Sequence, residues 1–302
     1  MEDGFCICIV GLGLMGGSLA LALRASDDDR SAAGLWPRES AASAWRSARI
    51  VAVTRNQQAL AAARTANAID DGSGDLAEGV SAADVIVLAT PVRTIVRMLA
   101  EVGQHARPGA LVLDLGSTKS AVCAAMAGLP DGLQPVGGHP MCGKETAGFA
   151  AAEAGLFRNR PFVLCPLPRT QPCALQRAES LARAVGGRPI VLDPATHDRA
   201  VAGISHLPYA LAVALVRTVE AAADPVAWSL ASSGFRDTSR LAASDADMML
   251  DILFTNREAV VGWLDACTGQ LAMVRDALAA GDDTTLRACL AGAQTRRAGL
   301  TV

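Results

Sequence analysis

A glycine-rich turn stands between an apolar run and a helical pattern at the start of the chain. The stretch "CIVGLGLMGGSLALAL" places Gly11, Gly13 and Gly16 in the spacing G-x-G-x-x-G. Such a turn lets the backbone approach a ligand closely, and the helix that follows offers free N–H groups and a positive dipole end. The pattern predicts a dinucleotide site at Gly11, Gly13, Leu14, Met15 and Gly16. The alternative is a glycine-rich turn that binds nothing.

Apolar runs that indicate strands alternate with helical stretches along the first part of the chain. The runs are "FCICIV", "RIVAV", "DVIVLAT", "ALVLDLG", "PFVLC" and "PIVL". Continuous apolar character is typical of parallel strands buried on both faces, and strand–helix alternation predicts a doubly wound sheet. After about Asp193 the strand patterns stop, and long Ala- and Leu-rich segments of helical period follow. We therefore predict an α/β fold with a Rossmann-type dinucleotide-binding domain over 1–193 and an all-helical substrate and dimerisation domain over 194–302.

Composition and charge argue against several classes of protein. Hydrophobic residues make up 51% and charged residues 19% of the chain, and the formal net charge is −3. This composition is globular, and it gives a nucleic acid no electrostatic support. No uninterrupted apolar run reaches roughly 18 residues, so we expect no membrane span. The N-terminus opens acidic, unlike a signal peptide, which favours a cytoplasmic protein.

Cysteine spacing and helix composition give two further expectations. None of the eight cysteines forms a C-x-x-C pair, so we expect no metal site and no disulfide framework. Long apolar helices commonly bury a face against a partner subunit, so we expect a homodimer.

One segment interrupts the alternation of strands and helices. Residues 26–47 carry acidic, Ser, Gly and Pro residues between the first helical stretch and the second apolar run. Because crossover loops are usually short, we interpret this segment as a surface insertion.

The end of the second apolar run bears on the choice of dinucleotide. A preference for NAD normally shows as Asp or Glu at this point, where it bonds the ribose 2′-hydroxyl. Here the run "RIVAV" is followed by Thr54, Arg55 and Asn56. No carboxylate would repel a 2′-phosphate, and Arg55 can pair with one, so NADP is favoured over NAD. The alternative is that Arg55 is only a solvated side chain and binds no phosphate.

Several motifs together resemble the prephenate and arogenate dehydrogenase family, the cyclohexadienyl dehydrogenases of tyrosine biosynthesis. They follow in the family's order over nearly the whole chain: "GLGLMGGSLA", "ATPV", "DLGSTKS", "GGHPMCGKETAG", "SHLPYALA" and "GFRDTSRLAASD". The resemblance implies that a cyclohexadienol with a ring carboxylate loses hydride to a nicotinamide and also loses CO2. It also implies cofactor contacts at Thr90 and Pro91 of "ATPV".

The stretch "HPMCGKETAG", residues 139–148, offers a metal ligand, a thiol or a base. Removing hydride from a carbinol carbon requires a group that accepts the hydroxyl proton, and neutral histidine suits this near pH 7. His139 matches the family's catalytic histidine, so we predict a general base in a glycine-bordered turn and a merely packed Cys142. By resemblance, Ser117 contacts the substrate hydroxyl. The alternatives are a structural histidine and a helix-capping serine.

The substrate implied by the resemblance is a dianion, which requires fixed cations. Arg240 matches the family arginine that grips the ring carboxylate, a task suited to a two-pronged guanidinium. We expect Ser205 and His206 to open a helix whose N–H groups receive the side-chain carboxylate. Tyr209 and Met249 replace the family's usual His and Trp, which leaves prephenate, arogenate and an amino analogue of prephenate as candidate substrates.

Two readings compete with this one. A β-hydroxyacid dehydrogenase or imine reductase also begins with a "GLGxMG" motif, but it would normally carry a lysine in a "GxxxK" helix that this chain lacks near residues 160–185. A nucleotide-binding sensor without turnover would need the glycine motif but not His139, Ser117 and Arg240 together. We expect no separate tyrosine-sensing module after the helical segments.

Overall fold

The strands of the first part of the chain form one mostly parallel sheet. The computed structural model describes residues 4–25, 45–144 and 146–300. Within them the sheet runs in the order β3-β2-β1-β4-β5-β6-β7-β8, and every neighbouring pair is parallel except β6 and β7. The strands are β1 (Cys6–Val10), β2 (Arg49–Val53), β3 (Asp71–Ser73), β4 (Val85–Leu88), β5 (Leu111–Asp114), β6 (Gln134–Pro140), β7 (Pro161–Pro166) and β8 (Arg188–Val191). The predicted doubly wound, Rossmann-type fold is confirmed.

Helices cover both faces of this sheet, which explains why most of its strands are apolar. In β1, Ile7 and Ile9 join the core on one face, whereas Cys8 and Val10 join the core on the other, as a two-residue repeat requires. The helices of this part are α1 (Leu14–Arg24), α2 (Gln57–Thr65), α3 (Leu76–Ser81), α4 (Val92–His105), α5 (Ser120–Met126) and α6 (Pro172–Ala184).

Two strands, β3 and β6, are absent from the predicted set. The β6 sequence "QPVGGHP" lacks the apolar run that indicates a strand, yet it pairs with β5 on one side and β7 on the other. Its glycines make the pairing possible, because a Cβ on Gly138 would lie 2.4 Å from the Asp114 carbonyl oxygen. The prediction that His139 lies in a turn is therefore wrong: it is the next-to-last residue of β6.

The remainder of the described chain is helical, as predicted. A continuous helical run comprises α7 (Pro194–Val201), a π-helical turn (Ala202–His206) and α8 (Leu207–Ala221). Then follow α9 (Pro225–Ser229), α10 (Ser233–Ser239), a 3-10 turn (Arg240–Ala243), α11 (Ala246–Thr255), α12 (Arg257–Ala280) and α13 (Asp283–Ala298). The prediction that Ser205 and His206 open a helix is wrong, because both lie in the π turn inside the run and its backbone N–H groups are not those of a helix start.

The run Pro194–Ala221 is also long and apolar enough, by length and composition alone, to cross a membrane. Its most apolar window has a mean hydropathy of 1.4, and 22% of that window is buried. The sequence expectation counted only uninterrupted apolar residues and so overlooked it. The same run carries His197, Asp198 and His206, which are buried and hydrogen-bonded within the protein. Ionisable groups of this kind are costly at membrane depth, which weighs against a spanning role.

The segment interpreted as an insertion lies mostly outside the described residues, which resume at residue 45. Trp45 is buried, its ring meets Phe5 edge-to-face at 5.3 Å, and its indole N–H donates to the Ser180 hydroxyl at 2.9 Å. Trp45, near the end of the segment, is therefore part of the core and not of a surface insertion.

Candidate active site

The carboxyl ends of five neighbouring strands bring most of the predicted site residues to one edge of the sheet. In spatial order these ends carry Arg55 after β2, the glycine turn after β1, Thr90 after β4, Ser117 after β5 and His139 in β6. All five strands are parallel to one another, so their carboxyl ends share an edge. Ligands of open α/β sheets bind at this edge, next to the point where strand order reverses, here between β1 and β4.

The glycine turn has the shape that a pyrophosphate requires. Gly11 has a φ of 101°, which favours glycine, and a Cβ on Gly16 would lie 1.9 Å from the Gly11 carbonyl oxygen. A Cβ on Gly13 would meet nothing within 4 Å, so the space in front of this residue is open. Gly13 is also the N-cap of α1, where no side chain occupies the first-turn N–H groups. Gly16 thus serves packing, whereas the space in front of Gly13 is open; phosphate contacts at Gly13, Leu14 and Met15 stay a prediction.

Around this turn, the other predicted cofactor residues stand at helix starts. Thr54 accepts a hydrogen bond from the Asn56 N–H at 3.2 Å, and Asn56 caps α2. Arg55, between them, is exposed to solvent. Thr90 and Pro91 join β4 to α4, with Pro91 as the N-cap.

A buried ion pair joins the two strands that carry the candidate catalytic residues. The Lys119 ammonium is fully buried against the Asp114 carboxylate and donates to the Gly138 carbonyl at 2.6 Å. The same carboxylate accepts from the Gly116 and Gly138 N–H groups at 2.7 and 2.9 Å. Since these glycines precede Ser117 and His139, the pair sets the backbone of both. The sequence analysis assigned no role to Lys119, for which only its place in "DLGSTK" gave a signal.

His139 is partly buried and belongs to a chain of hydrogen bonds that leads away from the sheet edge. Its Nδ1 lies 2.8 Å from Nε2 of His197, whose Nδ1 lies 2.8 Å from the Asp198 carboxylate. The carboxylate also accepts from the Lys119 and Ser120 N–H groups at 2.7 and 2.8 Å. Sequence reasoning assigned no role to His197, because nothing in the sequence places it beside His139.

Electrostatics keep the His139 imidazole neutral. Burial lowers its pKa well below the usual 6.5, and the His197 ring, the Lys119 ammonium and the His206 ring act in the same direction. Burial acts to raise the pKa of Asp198, but hydrogen bonds from His197, Ser120 and Lys119 outweigh it and the net shift is downward. His139 is therefore neutral at physiological pH, and the Asp198 carboxylate on the far side of His197 is ionised.

Cys142 has the environment of a packed residue. Burial raises the pKa of its thiol to about 12, and its side chain packs against the core. A thiolate is thus not available near neutral pH. Among the described residues, no cluster of three metal-ligating side chains occurs.

The residues predicted to bind substrate come from separate helices, and their grouping in one site stays a prediction. Arg240 begins the 3-10 turn and is exposed, as is Ser205 in the π turn. His206 is 2% exposed beside Asn256, whose amide lies 3.3 Å from its Nδ1. Burial is the main cause that lowers the pKa of His206 to about 4, so this ring is neutral and offers a substrate carboxylate no positive charge. Tyr209 is partly exposed in α8, and Met249 is buried in α11.

Comparison with known proteins assigns the chain to a family. Residues 42–191 match the model of the prephenate dehydrogenase nucleotide-binding domain, and residues 193–292 match that of its dimerization domain. The chain belongs to the prephenate dehydrogenase family. Membership makes it an oxidoreductase whose cofactor is a nicotinamide dinucleotide.

Individual members of the prephenate dehydrogenase family resemble the chain over most of its length. A prephenate dehydrogenase from Bacillus subtilis is 31% identical over 273 residues, which are 89% of this chain and 69% of that relative. The structure of a prephenate dehydrogenase from A. aeolicus in complex with hydroxyphenyl propionate and NAD+ is 27% identical, with a TM-score of 0.84 and 97% of each chain covered. A Synechocystis arogenate dehydrogenase is 31% identical, with a TM-score of 0.79 and coverage of 97% and 99% of the two chains.

The two roles of the glycines can be separated by substitution. Gly16→Ala places a methyl group against backbone and should lower the free energy of unfolding by roughly 1–3 kcal/mol. Gly13→Ala meets open space in the protein, so it should unfold at the parental temperature but bind the dinucleotide more weakly. Thermal unfolding and calorimetric titration with NAD and NADP measure the two effects. Parental dinucleotide affinity in a folded Gly13→Ala protein would contradict this placement of the pyrophosphate.

Proposed function

We propose that the chain catalyses the oxidative decarboxylation of a cyclohexadienol, prephenate or arogenate, with hydride transfer to NAD(P)+, as a step in tyrosine biosynthesis. The observation that carries this proposal is a neutral histidine, His139, at the sheet edge that also holds the glycine turn and Ser117. Its family's relatives are named for these two substrates. The β-hydroxyacid dehydrogenase and imine reductase alternatives lose their support, because both halves of the chain match the prephenate dehydrogenase models.

The residues of the chain divide the chemistry among them. His139 takes the proton of the substrate hydroxyl, and the Ser117 hydroxyl at the end of the neighbouring strand orients that group. Arg240 grips the ring carboxylate through two parallel hydrogen bonds and so fixes the ring for reaction. A nicotinamide dinucleotide held at the glycine turn would supply the hydride acceptor. Loss of the ring carboxylate as CO2 then leaves an aromatic ring.

We assign selectivity for the side chain of the substrate to positions where the protein departs from its family. Tyr209 and Met249 stand where the family usually has His and Trp, and Ser205 and His206 lie one turn before Tyr209 on the same helical run. Because His206 is neutral, the ketoacid or amino acid side chain of the substrate must find its polar partners elsewhere on this run. Prephenate, arogenate and an amino analogue of prephenate are the substrates to compare.

For the cofactor we propose a preference for NADP, with NAD also accepted. Thr54 and Asn56 are engaged with each other and with the start of α2, which leaves the exposed Arg55 as the cation at the end of β2. A 2′-phosphate at this strand end would meet a guanidinium and no carboxylate at position 54 or 56.

The assembly we propose is a cytoplasmic homodimer formed through the helical domain, 194–302, with 1–193 as the dinucleotide-binding domain. Large apolar side chains of this part are exposed in the single chain, with Ile204 at 70%, Leu230 at 74% and Phe254 at 55%. Large apolar side chains exposed to this extent are typical of a subunit interface. A dimer interface on this domain would also shield the apolar run Pro194–Ala221 from water, with no membrane needed.

Replacing the proposed base separates it from the neighbouring thiol. His139→Asn cannot accept the proton and should lower kcat by roughly a hundredfold to ten-thousandfold, with the substrate KM much less changed. Cys142→Ala is the control and should keep parental kcat. An active His139→Asn enzyme together with an inactive Cys142→Ala enzyme would refute the assignment.

The depressed pKa of His139 also predicts the pH dependence of the parent. The base acts only when neutral, so activity is lost as the pH falls through its pKa in the folded enzyme, which lies well below 6.5. The profile of log kcat/KM against pH should therefore be level from neutrality to below pH 6.5, provided the fold is intact. A half-maximal point at or above 6.5 would contradict a desolvated base.

The grip on the ring carboxylate is tested at Arg240. Arg240→Ala should raise the substrate KM by roughly tenfold to a hundredfold and leave the cofactor KM nearly unchanged. Lysine should rescue only in part, because an ammonium cannot form the two-pronged contact. Arg287→Ala, on α13, is the matched control. Unchanged substrate KM in Arg240→Ala would place this residue outside the site.

The cofactor proposal is tested by one substitution measured with both dinucleotides. Arg55→Ala should weaken NADP binding by roughly tenfold and leave NAD binding nearly untouched, since only NADP carries the 2′-phosphate. Arg64→Ala, at the other end of α2, removes the same charge and should change neither constant. Equal Kd values for NADP and NAD in the parent protein would refute the preference.

A further inference from the structure

His197 and Asp198 form a relay behind His139 that the proposed chemistry does not use. The two histidine rings meet edge-to-face with centroids 5.0 Å apart, and Nδ1 of His139 faces Nε2 of His197 at 2.8 Å. The other nitrogen of His197 faces the Asp198 carboxylate at 2.8 Å. His197 and Asp198 are 1% and 4% exposed, so water does not compete for these contacts.

With both rings neutral, only one arrangement of protons satisfies every contact in this relay. Asp198 accepts from two backbone N–H groups of the α5 start, so its carboxylate acts as an acceptor and His197 must carry its proton on Nδ1. A neutral His197 then has a lone pair on Nε2, which can only accept. The facing Nδ1 of His139 must donate, and a neutral His139 therefore has its lone pair on Nε2.

The relay is held from the helical side as well as from the sheet. The Asn256 amide donates to the Asp198 carbonyl at 2.7 Å, and the Trp263 indole donates to the Arg199 carbonyl at 3.0 Å. These contacts fix α7 against α12. The N–H groups at the start of α5 hold the Asp198 carboxylate of α7 from the sheet side. His197 thus has little freedom to turn its ring and exchange the roles of its nitrogens.

We propose that His197 and Asp198 are positioning residues that hold His139 as its Nδ1–H tautomer, so that Nε2 is the atom that receives the substrate proton. This inference rests on the proposed function for the identity of the reacting proton. In the step, the hydroxyl O–H bond breaks, an N–H bond forms at Nε2 of His139, and the Nδ1 proton stays in place. The same logic orients the histidine of serine-protease triads, here with a second histidine between base and carboxylate.

The charged and titratable groups around His139 make this orientation matter. The Lys119 ammonium and the His197 and His206 rings disfavour an imidazolium at His139, and Asp198 is the carboxylate that favours it. The Lys119 charge is itself paired with Asp114. When His139 gains a proton, its Nδ1–H points at His197, which passes the stabilising effect of Asp198 to the base.

Two substitutions at His197 cut the relay at different points. The His197→Asn amide can still bond Asp198 but is too short to accept from His139. The longer His197→Gln side chain directs its NH2 group to Asp198 and leaves its oxygen to accept from His139. His197→Asn should lower kcat by roughly tenfold to a hundredfold with little change in substrate KM or dinucleotide Kd, whereas His197→Gln should stay close to the parent.

The tautomer itself is measured by nitrogen-15 NMR of protein labelled at histidine. The chain has four histidines, and His105→Gln, at the exposed end of α4, serves both as an assignment aid and as a variant expected to keep parental activity. The parent and His197→Gln should show His139 protonated at Nδ1. His197→Asn should shift His139 toward the Nε2–H form that free imidazole favours in water.

The outcomes separate this inference from the proposed function. A parental His139 protonated at Nε2 would overturn the inference even if His197→Asn fails to fold. Parental tautomer and parental kcat in a folded His197→Asn enzyme would also overturn it. A parent that shows the Nδ1–H tautomer but oxidises neither prephenate nor arogenate would instead refute the proposed function and leave the positioning of His139 standing.

Discussion

The buried pair of Lys119 and Asp114 is the interaction on which the site depends. It joins β5 to β6 at the sheet edge, because Asp114 accepts from the N–H groups of Gly116 and Gly138 while Lys119 donates to the Gly138 carbonyl. Both partners are fully buried, so each would be an uncompensated charge without the other. Removing one member of such a pair costs roughly 3–5 kcal/mol, whereas replacing the pair by packed apolar residues is often neutral. Its retention in this chain is thus better explained by positioning of the strand ends than by stability.

The same corner of the sheet holds the helical part of the chain. The Lys119 N–H donates to Asp198, and the Thr118 and Thr255 hydroxyls meet at 2.8 Å. Farther along the edge, Arg93 at the start of α4 pairs with Asp251 of α11 at 3.4 Å and stacks over Phe254. These contacts place α7 and α11 beside the strand ends.

Much of the candidate site was predictable because its residues follow apolar runs. Gly11, Thr90 and Ser117 each come directly after a continuous apolar strand, and the carboxyl ends of parallel strands share an edge. His139 was found by its family motif, but its strand was not, since Gly137, Gly138 and Pro140 give no strand signal. Pairing with β5 and β7 makes this segment a strand, and the strand requires glycine because neighbouring backbone and side chains leave no room for a Cβ.

The sequence by itself determined the doubly wound fold, the all-helical second part, the glycine turn and the identity of the candidate base. These follow from local patterns: strand and helix periods, a turn that only glycine permits, and motifs read in order. Only the tertiary structure decided that Lys119 is buried, that His206 lies inside a π turn, and that His197 stands 2.8 Å from His139 although 58 positions separate them in the chain. The physical reason is that burial, pKa and hydrogen-bond partners arise from contacts between distant segments, which local propensity does not encode.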